Sequence, residues 1–231
     1  MLKRWVLCLI ICLSACAKRD MKVANYETFS FKGLAYVVAE RGNTKWASNV
    51  SVLVKMPGSL RLDALEKISD VTAVLAVKDG GGFLTMPLED KWYQVKNGKV
   101  RLPKIGEMPI TGDELAGILT GRPHVEGGTT VSELFHTDRG SYFIKGPDSE
   151  MEMSSVEKMP LVYTKYSSSD KKKIVYEVDF DDFTAVGGKK MPRHIILRFE
   201  HPRLVMEIKY KDMHPDARIH PALFEVKPSK E

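Results

Sequence analysis

An alternation of apolar and polar residues runs along most of the chain and constrains its fold more than any other feature. From Phe29 to Arg41 every second residue is apolar or small, and Trp46 to Met56 repeats the pattern before Pro57-Gly58 ends it. A period of two is typical of a β-strand with one dry face. Further segments, bounded by turn residues, are Leu60 to Leu65, Val71 to Val77, Phe83 to Met86, Trp92 to Val95, Lys99 to Leu102, Ser141 to Lys145, Ser149 to Ser154, Leu161 to Ser167, Ile174 to Phe180, His194 to Phe199, Leu204 to Tyr210 and Leu223 to Val226. The sequence therefore predicts a mainly β protein with a curved antiparallel sheet of about a dozen strands.

Two glycine-containing turns help to place these strands. Asn97-Gly98, between two of the strand segments, is a strong signal for a two-residue hairpin. The glycine run at 80–82 could suggest a phosphate-binding loop, but neither a Lys-Ser/Thr pair nor a helix pattern follows it. Both turns are therefore interpreted as hairpins, which makes the first half a series of consecutive antiparallel strands.

One helix stands out where the period changes. Thr111-Gly112-Asp113-Glu114 has the capping-box pattern, in which Thr111 and Glu114 each satisfy the other's backbone N–H. Leu115, Ile118 and Leu119 then form one apolar stripe at helical spacing. Gly121 and Pro123 end the helix. We expect a short helix that gains its stability by packing on the sheet.

The amino terminus has the pattern of a bacterial lipoprotein signal. Lys3-Arg4 precede an apolar run from Trp5 to Leu13, which is too short to span a bilayer. Leu13-Ser14-Ala15-Cys16 then matches the site at which such signals are cut and the new terminal cysteine is acylated. The sequence predicts a signal peptide at 1–15, a lipidated Cys16 with a flexible tether at 16–28, and a single domain at 29–231. An ordinary cleaved signal in which Cys16 is incidental is the alternative.

Signal removal changes what the composition implies. The whole chain has a formal charge of +5, and Lys3 and Arg4 would leave with the signal. A balance this small in an exported protein disfavours nucleic acid as a partner. Cys8 and Cys12 would also leave, so that Cys16, committed to its lipid, is the last cysteine. No disulfide, thiolate metal site or cysteine nucleophile is then expected.

Candidate catalytic and metal sites are weak. His201, His214 and His220 are each followed or preceded by turn residues and lack the spacing of metal ligands. Glu177 and Asp179 belong to an acidic run that fits the solvated face of a strand better than a calcium site. The motifs of serine hydrolases and zinc peptidases are absent. We expect neither an enzyme, nor a cofactor, nor a metal.

The apolar faces of so many strands need a cover, and only one clear helix can provide it. A curved sheet partly closed by a short helical lid would form an incomplete barrel around an apolar cavity. A small barrel with a filled core is the alternative that the pattern leaves open.

Several of these segments together resemble the LolB-like family, outer-membrane lipoproteins that receive other lipoproteins from the periplasmic carrier LolA. Met108-Pro109-Ile110 followed by Leu115, Ile118-Leu119, Gly121 and Pro123 has the spacing of that family's helix and the strand before it. Leu60-Arg61-Leu62, the loop that follows and the next alternating strand agree in order. The resemblance extends over about Phe29 to Pro123 and implies an incomplete barrel with an acyl-binding interior, as in the LolA and LolB proteins.

The resemblance also implies a function and a set of residues. An acylated lipoprotein or phospholipid cargo would pass from a LolA-like carrier into the cavity and then into the outer membrane, without a covalent step. By resemblance to enterobacterial lipoproteins, Ala17 after Cys16 indicates the outer membrane, facing the periplasm. Ile68 is the nearest counterpart of the family's membrane-inserting residue. The inward residues that would contact acyl chains are Phe31, Val50, Val52, Leu62, Leu115, Ile118, Leu119, Leu197 and Phe199. The competing hypothesis is an envelope scaffold or assembly lipoprotein that binds a partner protein through its surface.

Overall fold

The computed structural model describes residues 29–66, 70–95, 98–102, 106–125 and 140–225, with backbone alone at 106–107. Cys16, the rest of the predicted signal and tether, and Ile68 lie outside these residues, so the predictions about them remain predictions. The strands are β1 Phe29–Arg41, β2 Thr44–Met56, β3 Ser59–Leu65, β4 Val71–Lys78, β5 Gly81–Met86, β6 Lys91–Val95, β7 Lys99–Leu102, β8 Gly106–Thr111, β9 Ser141–Lys145, β10 Ser149–Ser154, β11 Pro160–Tyr166, β12 Ile174–Val186, β13 Lys189–Phe199 and β14 Leu204–Pro215. One α-helix, α1 Gly112–Leu119, and two 3-10 turns, Pro87–Glu89 and Pro221–Phe224, complete the described elements.

Twelve of the strands form one antiparallel sheet in the order β6-β5-β4-β3-β2-β1-β14-β13-β12-β11-β10-β9. The first and last strands of the chain pair along their length at its centre, with Ala35 of β1 opposite Tyr210 of β14. Among the described strands, the two edge strands β6 and β9 are not hydrogen-bonded to each other. The curved sheet is therefore not closed, which confirms the predicted incomplete barrel.

The two ends of β1 define the two ends of this incomplete barrel. At the Phe29 end lie the β2–β3 turn at 57–58 and the β4–β5 turn at 79–80. At the Arg41 end lie the β1–β2 turn at 42–43 and the β13–β14 connection at 200–203. This follows from the antiparallel connections, because each hairpin returns the chain to the end from which it came.

The predicted alternation matches the burial of side chains. In β1 each odd-numbered residue from Phe29 to Ala39 except Gly33 is a buried apolar residue of the core, whereas Lys32, Tyr36 and Glu40 are exposed. Gly33 itself has no room for a side chain, since an added Cβ would lie 2.8 Å from the Phe31 ring. Inward residues from both halves of the sheet build one continuous core.

Asn97 lies outside the described residues, but the hairpin predicted at Asn97-Gly98 is wrong, because the strands on its two sides, β6 and β7, do not pair with each other. Gly98 does adopt a left-handed conformation (φ 68°), but β7 pairs with β8 in a separate two-stranded ribbon instead of continuing the sheet from β6. In this ribbon Val100 and Met108 are fully buried. Burial of these side chains against the barrel interior outweighs the local preference for a hairpin.

The strand predicted from Leu223 to Val226 is also wrong. Residues 221–224 form the second 3-10 turn, which packs against β3 and β4, and Phe224 is buried. Arg61 Nη1 donates a hydrogen bond of 2.8 Å to the Leu223 carbonyl oxygen. Because Leu60 and Leu62 point inward, Arg61 points outward, and this segment therefore covers part of the outer face.

The predicted helix forms with its predicted cap. Thr111 Oγ1 accepts from the Glu114 N–H at 3.2 Å, and Glu114 Oε2 accepts from the Thr111 N–H at 2.8 Å. The helix lies across the Phe29 end, because Asp113 Oδ1 accepts a hydrogen bond of 3.0 Å from the Gly58 N–H. At its other end Gly121 has φ 66° and faces the Pro192 ring.

Candidate functional site: an apolar cavity beneath the helix

The concave side of the sheet contains a cavity with a wall made entirely of apolar residues. Its volume is about 70 Å³. The wall consists of Val37, Trp46, Val50, Val52, Leu62, Ala64, Ala73, Leu75, Leu84, Val100, Leu102, Met108, Ile110, Leu115, Leu119, Leu197, Phe199, Met206 and Ile208.

The cavity occupies the half of the barrel nearer the Arg41 end. On β2 the wall includes Trp46, Val50 and Val52, whereas Val54 and Met56, nearer the Phe29 end, are buried outside it. On β3, β4 and β13 the residues of the cavity wall likewise lie nearer the Arg41 end. Trp46, two residues from the β1–β2 turn, is partly exposed, so the cavity wall reaches the surface at the Arg41 end, which is called the mouth below.

The structure brings together seven of the nine residues predicted to contact acyl chains. Val50 and Val52 reach the wall from β2, and Leu62 reaches it from β3. The remaining four come from the helix and from β13: Leu115, Leu119, Leu197 and Phe199. Their shared position is a geometric finding, and acyl binding by them remains a prediction.

Phe31 and Ile118 are buried but do not line the cavity. The Phe31 ring packs edge-on against Tyr210, with 5.4 Å between centroids, in the filled half of the barrel. Neighbours therefore occupy the space that a ligand would need beside Phe31.

Sequence reasoning missed twelve wall residues, and most of them carry the same signal as those it found. Val37, Leu75, Leu84 and Ile208 are inward residues of alternating strands, so the period of two could have identified them. The small residues Ala64 and Ala73 are opposite one another on β3 and β4. They leave room that larger side chains would fill. The composition of a single strand does not predict such a cavity.

The β7–β8 ribbon and α1 together cover the cavity. Val100, Met108 and Ile110 of the ribbon and Leu115 and Leu119 of the helix point into it. The cover is attached to the sheet at both ends of the helix, through Asp113 to Gly58 and through a 2.8 Å hydrogen bond from the Tyr210 hydroxyl to the Leu119 carbonyl oxygen.

A polar cluster of Glu114, Asp148, Ser149, Lys165 and Tyr176 lies inside the barrel beside this wall. Lys165 Nζ is 3.0 Å from Asp148 Oδ2 and 3.6 Å from Glu114 Oε1. Tyr176 is 1% exposed and Ser149 3%. Their hydroxyls, and Asp148 Oδ1, are shielded from solvent and make no hydrogen bond of good geometry among the described residues.

Burial and charge fix the protonation states in this cluster. Burial raises the pKa of Tyr176 well above its usual value, and the nearby Glu114 carboxylate raises it further. The phenol therefore stays neutral. Burial alone lowers the pKa of Lys165, but the hydrogen bond to Asp148 and the interactions with Tyr163 and Glu114 outweigh it, so that the pKa is raised and the ammonium stays charged.

Two further observations concern the described residues alone. No three His, Cys, Asp or Glu side chains in this part of the chain are close enough to hold a metal ion. None of its helices has the length and apolar character needed to cross a membrane.

Comparison with known proteins identifies the architecture. No protein-family model matches the chain, and no curated protein sequence matches it. In structure it is similar to a DUF1329 family protein from Desulfovibrio piger, with a TM-score of 0.63 and 10% identity over 87% of this chain and 91% of the other. It is also similar to a LolA superfamily protein from Nitrosomonas europaea, with a TM-score of 0.61 and 15% identity over 91% and 94% of the two chains.

A third similar structure is a domain described as an outer membrane lipoprotein-sorting protein, from Vibrio parahaemolyticus. The TM-score is 0.57 with 8% identity, covering 85% of this chain and 89% of the other. At these identities the likeness shows the fold. The chain therefore has a LolA/LolB-like fold, which confirms the architecture implied by the sequence resemblance.

Proposed function

We propose that this protein binds an acyl chain of a lipid or lipoprotein in its apolar cavity and so accepts or inserts acylated cargo at the outer membrane. The observation that carries this proposal is the cavity wall, in which all 19 residues are apolar. An apolar cavity stays dry. A hydrocarbon chain that enters it therefore leaves water without displacing hydrogen-bonded solvent.

The energetics favour occupation of this space. Each methylene removed from water contributes about 0.8 kcal/mol. An unfilled apolar cavity of about 70 Å³ lowers the stability of the fold by about 2 kcal/mol, at about 24 cal/mol per Å³. A bound chain recovers part of that cost, so the filled form is the more stable one.

Transfer then requires only differences in affinity. Cargo would move from a periplasmic carrier of the LolA type to this cavity, and from the cavity to the bilayer, if each site binds the chain better than the one before it. No covalent step takes part. Acylation of Cys16 would keep the body at the membrane that receives the cargo, and more than one acyl chain is needed for stable attachment.

The test is native mass spectrometry of the soluble chain from Ala17, purified from cells without delipidation. This chain keeps every described element, since the first of them begins at Phe29. We expect phospholipid or acylated peptide to co-purify with it. Leu62→Glu should abolish co-purification, because it places a charge in the apolar wall, whereas Leu65→Glu on the outward face of the same strand should retain it. Ala73→Phe provides a second test, because it fills the cavity by volume without adding charge.

Two results would overturn the proposal. One is a wild-type protein that carries no lipid and takes up no fluorescent fatty acid. The other is equal retention of lipid by Leu62→Glu, Ala73→Phe and the Leu65→Glu control, which would place the lipid outside the cavity.

The competing scaffold hypothesis rests on a smaller observation. Leu88 and Trp92 are exposed near edge strand β6, and the Trp92 ring lies 6.0 Å from Phe83. These side chains form a small exposed apolar patch, and such patches can bind a partner protein. The open cavity supports the acyl-binding proposal more directly.

A further inference from the structure

We infer that the polar cluster beside the cavity binds the polar head of the same molecule whose chain occupies the cavity, and that it selects a neutral head with hydroxyl or amide groups. This inference rests on the proposed acyl binding and specifies the ligand class.

The cluster and the cavity wall are consecutive in the sheet. Ser149 is opposite Lys165, Lys165 is opposite Tyr176, and Tyr176 is opposite Phe199, so that all four share one row across the inner face. Phe199 belongs to the cavity wall, and its ring lies 5.6 Å from that of Tyr176. On the helix, Glu114 of the cluster directly precedes Leu115 of the wall. An amphiphile with its chain in the cavity would therefore present its head to this cluster.

The cluster has unused hydrogen-bonding capacity. In the described part of the chain, the hydroxyls of Tyr176 and Ser149 and the Oδ1 atom of Asp148 make no hydrogen bond of good geometry. The Tyr176 hydroxyl does lie near the Glu114 carboxylate and the Tyr163 hydroxyl, and the Ser149 hydroxyl lies near Tyr163. Each buried polar atom without a partner is costly, and most such atoms in proteins are paired. By contrast, the neighbouring Tyr163 hydroxyl donates to the His124 carbonyl oxygen at 2.9 Å. Three of the four buried side-chain polar atoms without a hydrogen bond in the described part of the chain thus lie in this cluster, and the fourth is Ser155 Oγ in the β10–β11 turn.

Lys165 controls access to these groups. Its side chain stands between Ser149 and Tyr176 and is 13% exposed. A polar head that enters from the surface would push the Lys165 ammonium aside, and the ammonium would stay in contact with Asp148 and Glu114. The head would then find two hydroxyls and one carboxylate oxygen as partners.

The charge of the cluster determines the class of head. The Lys165 ammonium faces two carboxylates, Asp148 and Glu114, so the three groups together carry one negative charge. A fatty-acid carboxylate would add another negative charge at short range, in surroundings that screen it poorly. A quaternary ammonium offers no hydrogen to Asp148 Oδ1. A glycerol or amide head both donates and accepts, and matches all three unused groups.

The experiment compares probes with one chain length and different heads. The chain from Ala17 is titrated at pH 7 by calorimetry with 1-monolauroylglycerol, laurate and dodecyltrimethylammonium, each below its micelle concentration. We expect monolauroylglycerol to bind about tenfold tighter than either ionic probe. Tyr176→Phe and Ser149→Ala should each weaken monolauroylglycerol binding about threefold to tenfold, the value of one neutral hydrogen bond, and leave laurate binding within about twofold.

The controls are Tyr36→Phe and Ser51→Ala, which remove the same hydroxyls from the outward faces of β1 and β2. Equal affinities for the three probes, or losses that are the same for all probes in Tyr176→Phe, would overturn the head-binding inference and leave acyl binding intact. Failure of every probe to bind the wild-type protein would instead overturn the proposed function.

Discussion

The Tyr210 hydroxyl donates a hydrogen bond of 2.8 Å to the backbone carbonyl oxygen of Leu119, the last residue of α1. It links the central strand β14 to the end of the helix that covers the cavity. Helix carbonyls at this position have no partner within the helix. The contact therefore satisfies a buried acceptor and fixes the position of the cover.

Tyr210→Phe should destabilise the protein by about 1 to 3 kcal/mol, because it leaves the Leu119 carbonyl oxygen buried without this partner. Urea unfolding followed by circular dichroism measures the change. Tyr36→Phe, which removes a hydroxyl from an exposed ring, should stay within about 0.5 kcal/mol of wild type. Equal effects of the two variants would show that the Tyr210 contact does not hold the helix.

Tyr163→Phe should destabilise the protein, whereas Tyr176→Phe should not. Tyr163→Phe breaks the hydrogen bond to His124 and should cost about 1 kcal/mol. Tyr176→Phe removes a buried hydroxyl that makes no hydrogen bond of good geometry among the described residues, and should be neutral or stabilise the fold by about 1 kcal/mol. Thermal and urea unfolding of the two variants make the comparison. A marked loss of stability in Tyr176→Phe would mean that its hydroxyl has a partner in the folded protein.

Gly121→Ala should destabilise the fold more than Gly188→Ala. Both glycines have a positive φ, so both variants incur backbone strain of about 1 to 2 kcal/mol. At Gly121 an added Cβ would lie 2.5 Å from Pro192 Cδ, whereas at Gly188 nothing lies within 4 Å. The difference between the two free energies of unfolding should be about 1 to 3 kcal/mol, the usual cost of overpacking. No difference would mean that the helix end can move away from Pro192.

Alkaline pH should destabilise the protein through its buried phenols. Burial raises the pKa of Tyr210 far above its usual value. Below about pH 10 the phenol is neutral in the folded and unfolded chains and adds no pH dependence. Above that pH it ionises only in the unfolded chain, so that stability falls with rising pH by up to about 1.4 kcal/mol per pH unit.

The free energy of unfolding of Tyr210→Phe, measured between about pH 9.5 and pH 11.5, should therefore fall less steeply than that of the wild-type protein. Parallel slopes in the two proteins would contradict a neutral Tyr210 in the folded state.

Local patterns predicted the elements well where burial and propensity agree. The alternation in β1 and β2 and the capping box at Thr111 and Glu114 are confirmed, because there the local hydrogen bonds and the dry face favour the same structure. The hairpin predicted at Asn97-Gly98 does not form, because burial of Val100 against the barrel interior outweighs the turn signal. The strand predicted from Leu223 to Val226 does not form, because Phe224 is buried on the outer face of the sheet.

The position of the cavity could not be derived from the pattern. Val52 and Val54 are both inward on β2 and chemically identical, yet only Val52 lines the cavity. The difference arises from the neighbours that fill the Phe29 end, Phe31 and Leu60 among them. It depends on packing between distant strands rather than on the strand itself. The polar cluster was missed for the same reason, since register alone places Ser149, Lys165 and Tyr176 side by side.

The sheet begins at Phe29, while the cavity mouth lies at the opposite end of the same strand. β1 has 13 residues, which correspond to roughly 43 Å at 3.3 Å per residue. The segment from Cys16 to Phe29 has as many residue steps, and its greatest extension is therefore about the same. With a lipid on Cys16, as proposed, the segment between the lipid and the sheet would reach about as far as β1 is long. A tether of that length would let either end of the barrel face the surface to which the lipid is attached.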